Sequence, residues 1–515
     1  MFFNSIEFCL FFPIVAILYF FITHKIQKNI ISQILLLTSS LFFYACWNPS
    51  YLILILVSVI ITYTSAILIE GYENYKKLIL IISILSNLFI LFFFKYYNFF
   101  IDSLISTSIL LGRKVSIPKF NFLLPVGISF YTFQALGYSI DVYNKRIRPE
   151  RNFITYALFV TFFPQLVAGP IERTSNLINQ FKQDYKIDYD RITYGLRLVA
   201  WGLLKKIVIA DRLAIYVNNI YDNYKIVTGC ALALATFFFS VQILCDFSGY
   251  SDIAIGIARI LGFNLMKNFS KPYFARSIPE FWRRWHISLS TWFKDYIYIP
   301  MGGNRCSLFR RYFNIFVTFL ISGLWHGAAW TYVIWGALHG FYQIVTISTQ
   351  KIREKIGVKI GVLVVSSCIK GEVYVKRFWK LIQIFVTFSL TSFTWLFFRA
   401  NSLRNAVCIA KKFLLIPWEV IETLKTMIKG NAYESFKNLF FIGSDISGYF
   451  MRNFLGALFL IAILFVIDII TINSDGIQII KKQKWYIRWF FYYTIAFLII
   501  FFGTGIKSEF IYFQF

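Results

Sequence analysis

The sequence predicts an all-α polytopic membrane protein, and three observations predict it. Hydrophobic residues make up 58% of the 515, aromatics 20% and charged residues only 15%, against the roughly 45–50% apolar content of soluble domains. Apolar runs of about the 20 residues that a helix needs to cross the hydrocarbon layer recur from one end of the chain to the other. The Lys and Arg residues behind the net charge of +27 fall between those runs, which points to membrane topology and away from nucleic acid.

The runs lie near 6–22, 30–46, 51–69, 78–97, 121–143, 152–169, 192–210, 229–246, 312–332, 333–347, 378–398, 451–471 and 489–503. They amount to about 11–13 membrane segments, including re-entrant pieces. The first is long for a signal-peptide core, lacks a basic stretch before it and has no small-residue cleavage site after it, so it is expected to remain as a span. Run 121–143 contains Pro125 and Gly127, and a run broken in this way is a candidate re-entrant piece where protein buries it.

Charge then orients the chain. Lys25 and Lys28 follow the first run and Lys76 and Lys77 the third, while the connection Trp47-Asn48-Pro49-Ser50 is uncharged. That alternation puts the N-terminus outside the cytoplasm. Lys481, Lys482, Lys484 and Arg488 precede the final span, so the same rule puts them in the cytoplasm and the C-terminus outside. The hydrophilic stretches 172–191, 264–311, 351–377 and 401–449 are too short for a large soluble domain. No internal repeat is evident, which weakens the inverted-repeat architecture common among transporters. Residues 1–515 therefore read as a single membrane domain, with an extracytoplasmic tail at 504–515. Cys9, Cys46, Cys230, Cys245, Cys306, Cys368 and Cys408 form no C-x-x-C pair; they read as small hydrophobes, and no metal site is expected.

The stretch after Ser277 has the pattern of an interfacial amphipathic helix. Ser277 and Glu280 have capping-box spacing and Pro279 suits a first turn, while Pro300, Gly302 and Gly303 stop the helix. Trp282, Trp285, His286, Leu289, Phe293 and Tyr296 recur on one face, and Arg283, Arg284, Ser288, Thr291, Lys294 and Asp295 take the other. His286 is thus expected to point with the aromatics, away from water.

Only four histidines occur in the chain, and two of them, His326 and His339, lie within residues 312–350, which contain no Asp, Glu, Lys or Arg. A helix rising about 1.5 Å per residue from Tyr312 carries His326 roughly 20 Å along a layer about 30 Å thick. An ionisable residue there is expensive, so it marks a functional site, or else a hydrogen-bonded packing histidine. Gly323 and Gly327 remove side chains around it, allowing a helix or an extended ligand to approach, and Trp325 and Trp330 are candidates to line the slot. A neutral imidazole in such surroundings is a competent general base for a hydroxyl attacking a thioester or ester.

The runs Gln242-Ile-Leu-Cys-Asp-Phe-Ser-Gly-Tyr-Ser-Asp252, Glu280-Phe-Trp-Arg-Arg-Trp-His-Ile-Ser-Leu-Ser290, Tyr298-Ile-Pro-Met-Gly-Gly-Asn-Arg305 and Gly323-Leu-Trp-His-Gly-Ala-Ala-Trp330 closely resemble the membrane-bound O-acyltransferases. The resemblance is strongest to the bacterial branch that O-acetylates alginate, peptidoglycan and other exopolysaccharides. Leu124-Pro-Val-Gly-Ile-Ser-Phe-Tyr-Thr-Phe-Gln134 and Phe163-Pro-Gln-Leu-Val-Ala-Gly-Pro170 extend it over nearly the whole chain. It implies a ring of helices around a central funnel or tunnel, with a cytoplasmic opening for the acyl donor. It also implies that His326 is the catalytic histidine and His286 the family's second polar position. Asp246, Ser248 and Asp252 are then candidates to line the donor region, with helix-end hydrogen bonding as an equal alternative. Arg283, Arg284 and Lys294 are candidates to meet CoA phosphates, although snorkelling to lipid headgroups explains each as well.

The tail Ser508-Glu-Phe-Ile-Tyr-Phe-Gln-Phe515 reads alone as an interfacial aromatic anchor. It resembles the C-terminal motif of the small membrane peptide of teichoic-acid D-alanylation, whose tyrosine carries the acyl group, and this makes Tyr512 the candidate acyl acceptor. The implied protein sits in the bacterial cytoplasmic membrane, binds no permanent cofactor, and takes acetyl-CoA as donor from the cytoplasm. It passes the acetyl group to an SGNH-like or related extracytoplasmic partner and so to a polysaccharide. The rivals are D-alanyl or other acyl transfer to teichoic acid, lipid or protein, and a transporter or polymer flippase. A transporter should show ion-coupling carboxylates within its spans, whereas here the acids mostly flank them.

Overall fold

The computed structural model describes residues 1–355, 371–441, 448–472, 474–503 and 510–511. Among them the regular structure is helical, with no strand. Six helical stretches are long and apolar enough to cross a membrane, namely Ile6–Ile26, Pro49–Gly71, Glu73–Leu110, Gly229–Leu261, Arg377–Arg399 and Trp485–Phe502; Asn29–Ala45 and Phe454–Ile470 are shorter apolar helices. The other expected runs appear as shorter or interrupted helices. The chain forms two compact units, one of residues 1–203, 247–267 and 509–515, the other of residues 204–246 and 268–508.

The helices that matter below are α1 (Ile6–Phe21), α2 (Asn29–Ala45), α3 (Leu52–Gly71), α4 (Lys76–Leu91), α5 (Ile128–Tyr143), α6 (Tyr189–Leu203) and α7 (Gly229–Leu261), followed by α8 (Ile278–Arg284), α9 (Ile287–Phe293), α10 (Leu308–His326), α11 (Trp330–Ser348) and α12 (Gly371–Arg399). In the first unit, polar side chains join helices that are otherwise apolar. Ser58 donates to Asn87 at 2.6 Å between α3 and α4, and Tyr156 donates to Thr62 at 2.6 Å. With no water to compete in hydrocarbon, such pairs tie helices together at roughly 0.6 kcal/mol each.

Glycines set the closest approach in this unit. A Cβ on Gly195 of α6 would lie 2.7 Å from the carbonyl oxygen of Gly256 on α7, and one on Gly202 would lie 2.6 Å from that of Gly249. Both pairs recur after two helical turns, so one face of α6 lies directly on the backbone of α7. The break foreseen in run 121–143 is present: α5 begins at Ile128, preceded by Gly127 at φ 75°. A Cβ at Gly127 would stand 2.7 Å from the carbonyl oxygen of Leu166, so both conformation and space require glycine there.

In the second unit α10 and α11 form a tight hairpin. A Cβ on Gly323 would come within 2.3 Å of the carbonyl oxygen of Tyr332, and one on Gly336 within 2.3 Å of that of Phe319. The expected boundary between the runs, at 332/333, is displaced to the extended residues between His326 and Trp330. His326 is consequently the last residue of its helix, not a mid-helix residue as expected from Tyr312. Upstream, buried Asn314 donates to the carbonyl of Met301 at 3.1 Å, closing the glycine turn after Pro300 onto α10.

Candidate active site

Four residues before the end of α10, the carbonyl of Ser322 lies 2.6 Å from Nδ1 of His326. A carbonyl oxygen has two lone pairs, so that of Ser322 accepts from the side chain beside its place in the helix ladder. A carbonyl only accepts, so Nδ1 carries the proton and donates, and the lone pair of the neutral ring belongs to Nε2. The ring is 3% exposed. Its walls are aromatic: Trp335 at 4.7 Å between centroids, Trp325 at 4.9 Å edge-on, and Phe398 of α12 at 5.8 Å. Trp335 and Phe398 are themselves buried. The result is a dry, fixed imidazole with its basic nitrogen defined.

Trp325 also meets His286, with centroids 6.2 Å apart, and the two imidazoles are within electrostatic reach of each other. His286 is fully buried, as its place among the aromatics predicts. Its backbone was not foreseen. The single amphipathic helix expected after Ser277 is two short helices, α8 and α9, broken at Trp285 and His286. His286 sits in the left-handed region at φ 42°, ψ 56°, a conformation costing an L-residue about 1–2 kcal/mol. The break turns Ser288, expected on the solvent face, into a fully buried residue that donates to Asn268 at 2.6 Å.

His339 has a different occupation. Trp282 Nε1–H donates to its Nδ1 at 3.2 Å, so Nε2 carries the proton and donates to Thr394 Oγ1 at 2.9 Å, which in turn donates to the carbonyl of Thr391 at 2.7 Å. Both nitrogens are used in packing. His339 therefore supports Trp335, 4.9 Å away between centroids.

The remaining expected site residues divide. Trp325 is at the histidine, but Trp330 is 54% exposed and does not line it; Trp335, five residues on, takes that place. Gly327 serves packing, since a Cβ there would strike the Tyr332 ring at 2.2 Å. Arg283 and Lys294 are exposed, and Arg284 pairs with Glu280 at 2.6 Å along the helix. Asp246 is not a helix-end residue but lies inside α7, buried, 2.6 Å from Lys206, which also contacts Asp211 at 2.9 Å. A lysine between two carboxylates is the arrangement that permits burial of all three charges. Ser248 is buried and Asp252 half-buried further along α7, both in the first unit. Tyr512 lies outside the described residues. Two positions before it, Phe510 is buried edge-on against Tyr250, 4.5 Å between centroids, and Tyr250 stacks on Phe3 at 4.7 Å. Among the described residues no cluster of His, Cys, Asp and Glu could hold a metal ion.

Residues 142–391 match the membrane-bound O-acyltransferase family. The chain is 35% identical over 438 residues to the peptidoglycan O-acetyltransferase of Helicobacter pylori, with 79% of each chain covered. It is 37% identical over 400 residues to the probable alginate O-acetylase AlgI of Pseudomonas aeruginosa, covering 77% of this chain and 71% of the relative. Against the teichoic acid D-alanyltransferase of Bacillus subtilis, identity is 28% over 235 residues, covering 43% and 58%. The chain belongs to the membrane-bound O-acyltransferase family. It is a multi-pass membrane enzyme that transfers acyl groups to oxygen, in a family that generally takes acyl-CoA as donor.

Proposed function

We propose that this enzyme moves an acetyl group from cytoplasmic acetyl-CoA across the bacterial inner membrane for O-acetylation of a cell-envelope or secreted polysaccharide. The observation that carries the reading is the Ser322 carbonyl on Nδ1 of His326, which assigns the lone pair to Nε2 in a dry aromatic box. The names of the relatives, which act on peptidoglycan and alginate, support acetyl and polysaccharide. With both termini extracytoplasmic, Tyr512 approaches from the side opposite the donor.

The chemistry balances without a cofactor. His326 Nε2 accepts the phenolic proton as the Tyr512 oxygen attacks the thioester carbonyl; the C–S bond breaks, and the proton passes to the departing CoA sulfur. The charge that develops on the carbonyl oxygen needs a donor. Trp335 Nε1–H, buried without an acceptor among the described residues, is the candidate. His286, joined to His326 through Trp325, orients the donor or assists the proton. Arg283, Arg284 and Lys294 meet the CoA phosphates, which cannot enter hydrocarbon, whereas the pantetheine arm can. Trp325 and Asp246 are further candidates to contact the donor. An SGNH-like or related extracytoplasmic partner collects the acetyl group from Tyr512 and delivers it to sugar hydroxyls.

Incubating the full chain with acetyl-labelled CoA thioester, without the partner, tests the route. Mass spectrometry should find one acetyl group on Tyr512, lost in Tyr512→Phe. Acetyl transfer to polysaccharide by an enzyme never labelled on Tyr512 would show direct transfer instead. Preference for a D-alanyl donor would favour the teichoic acid relative's reaction.

A further inference from the structure

We propose that Asn268 is a positioning residue that holds His286 in its left-handed conformation and so aims its imidazole at the reaction centre. The inference rests on the role assigned to His286 above.

Asn268 is fully buried and lies on the strand of irregular chain that precedes α8, eighteen positions before His286. Its contacts bracket the break. The backbone carbonyl of Asn268 accepts from the N–H of Ile287 at 2.9 Å. Its side-chain Oδ1 accepts from Ser288 Oγ at 2.6 Å and from the Ser288 N–H at 3.3 Å. On the other side of the break, Ser270 N–H donates to the carbonyl of Arg284 at 2.9 Å. The first amides of α9 would otherwise be orphan donors in a dry interior, and one asparagine satisfies two of them. A residue at φ 42° persists only where its surroundings over-determine it, and these are the bonds that do so here. Were the break to relax into continuous helix, residue 286 would rotate by about 100° for each position of register, carrying the imidazole away from Trp325.

The contact is not one that local sequence would supply, since Asn268 and His286 are eighteen positions apart. Its use is to shape the turn at His286.

The test is a double-mutant cycle on the full-length enzyme, following transfer from acetyl-labelled CoA, with variants Asn268→Ala, His286→Ala and both together. Asn268→Ala should lower kcat about 10- to 100-fold with KM for acetyl-CoA within about twofold, and the double variant should be no slower than His286→Ala, because the lost positioning has nothing left to position. Multiplying effects would overturn the proposal while leaving the role of His286 intact. Unchanged turnover in His286→Ala would instead overturn that role, and the proposal with it. If Asn268→Ala does not fold, Ser288→Ala removes the 2.6 Å bond and keeps Asn268; it should reduce kcat less, again without adding to His286→Ala, and full turnover or an additive loss would overturn the proposal.

Discussion

A neutral imidazole has one donor and one acceptor nitrogen, and the two histidines of the α10–α11 hairpin use theirs differently. His339 commits both to Trp282 and Thr394, whereas His326 commits its donor to a backbone carbonyl. Sequence alone marks both as ionisable residues in an apolar stretch, and the partners of each ring distinguish their tautomers. The Ser322 contact was legible in principle, since residues four apart lie on one face of a helix. Phe398 was not, because nothing local in the chain couples a position so distant to His326, and Trp335, nine positions on, faces the ring only because the helix breaks between His326 and Trp330. A second buried group has a consequence for pH. Burial pushes the Glu172 carboxyl up to about 7, against which the N–H of Met266, the Asn176 amide and the N–H of Arg173 work. The native state therefore binds this proton more tightly than the unfolded chain, so its stabilising effect is full below pH 4.5 and is lost as pH rises to about 7, by about 3 kcal/mol in total. Thermal unfolding in detergent between pH 5 and 8 should show this decline, and Glu172→Gln should flatten it; equal slopes in the two proteins would refute the assignment.

At the scale of elements, the main error of sequence reading was to continue one helix through His286. Capping was correctly legible, since Ser277 accepts from the Glu280 N–H at 3.3 Å, and Trp282, Trp285, His286, Leu289 and Phe293 of the expected face are buried. What overrode the periodicity was a non-local pair of acceptors on Asn268, its carbonyl and its Oδ1, invisible to any window on 277–300. The Gly323 signal shows the opposite case. A glycine beside a polar residue in an apolar run predicted close helix approach, and α11 occupies that space, leaving none for a ligand at this point. Gly323→Ala would press its Cβ against backbone, which cannot rotate away, and overpacking of this kind costs about 1–3 kcal/mol. A lower apparent melting temperature with reduced activity is expected; an unchanged melting temperature would contradict the close approach seen between α10 and α11.

For the whole molecule, membrane class and family were the most legible properties, because lipid imposes helices and because the motif runs sit where chemistry and close packing meet. The turn after Pro300, the α10–α11 hairpin and the break at His286 are three of those runs in three dimensions. Less legible was the burial of Asp246 with Lys206 and Asp211, since the three charges come together only when α7 is in place. The account places acyl transfer on one nitrogen, Nε2 of His326. Transfer from acetyl-labelled CoA by purified His326→Ala, matched to the native enzyme in yield and melting temperature, measures that directly. A fall of about 100-fold or more in both CoA release and label incorporation is expected; turnover within a few-fold of the native enzyme would contradict a role for this nitrogen.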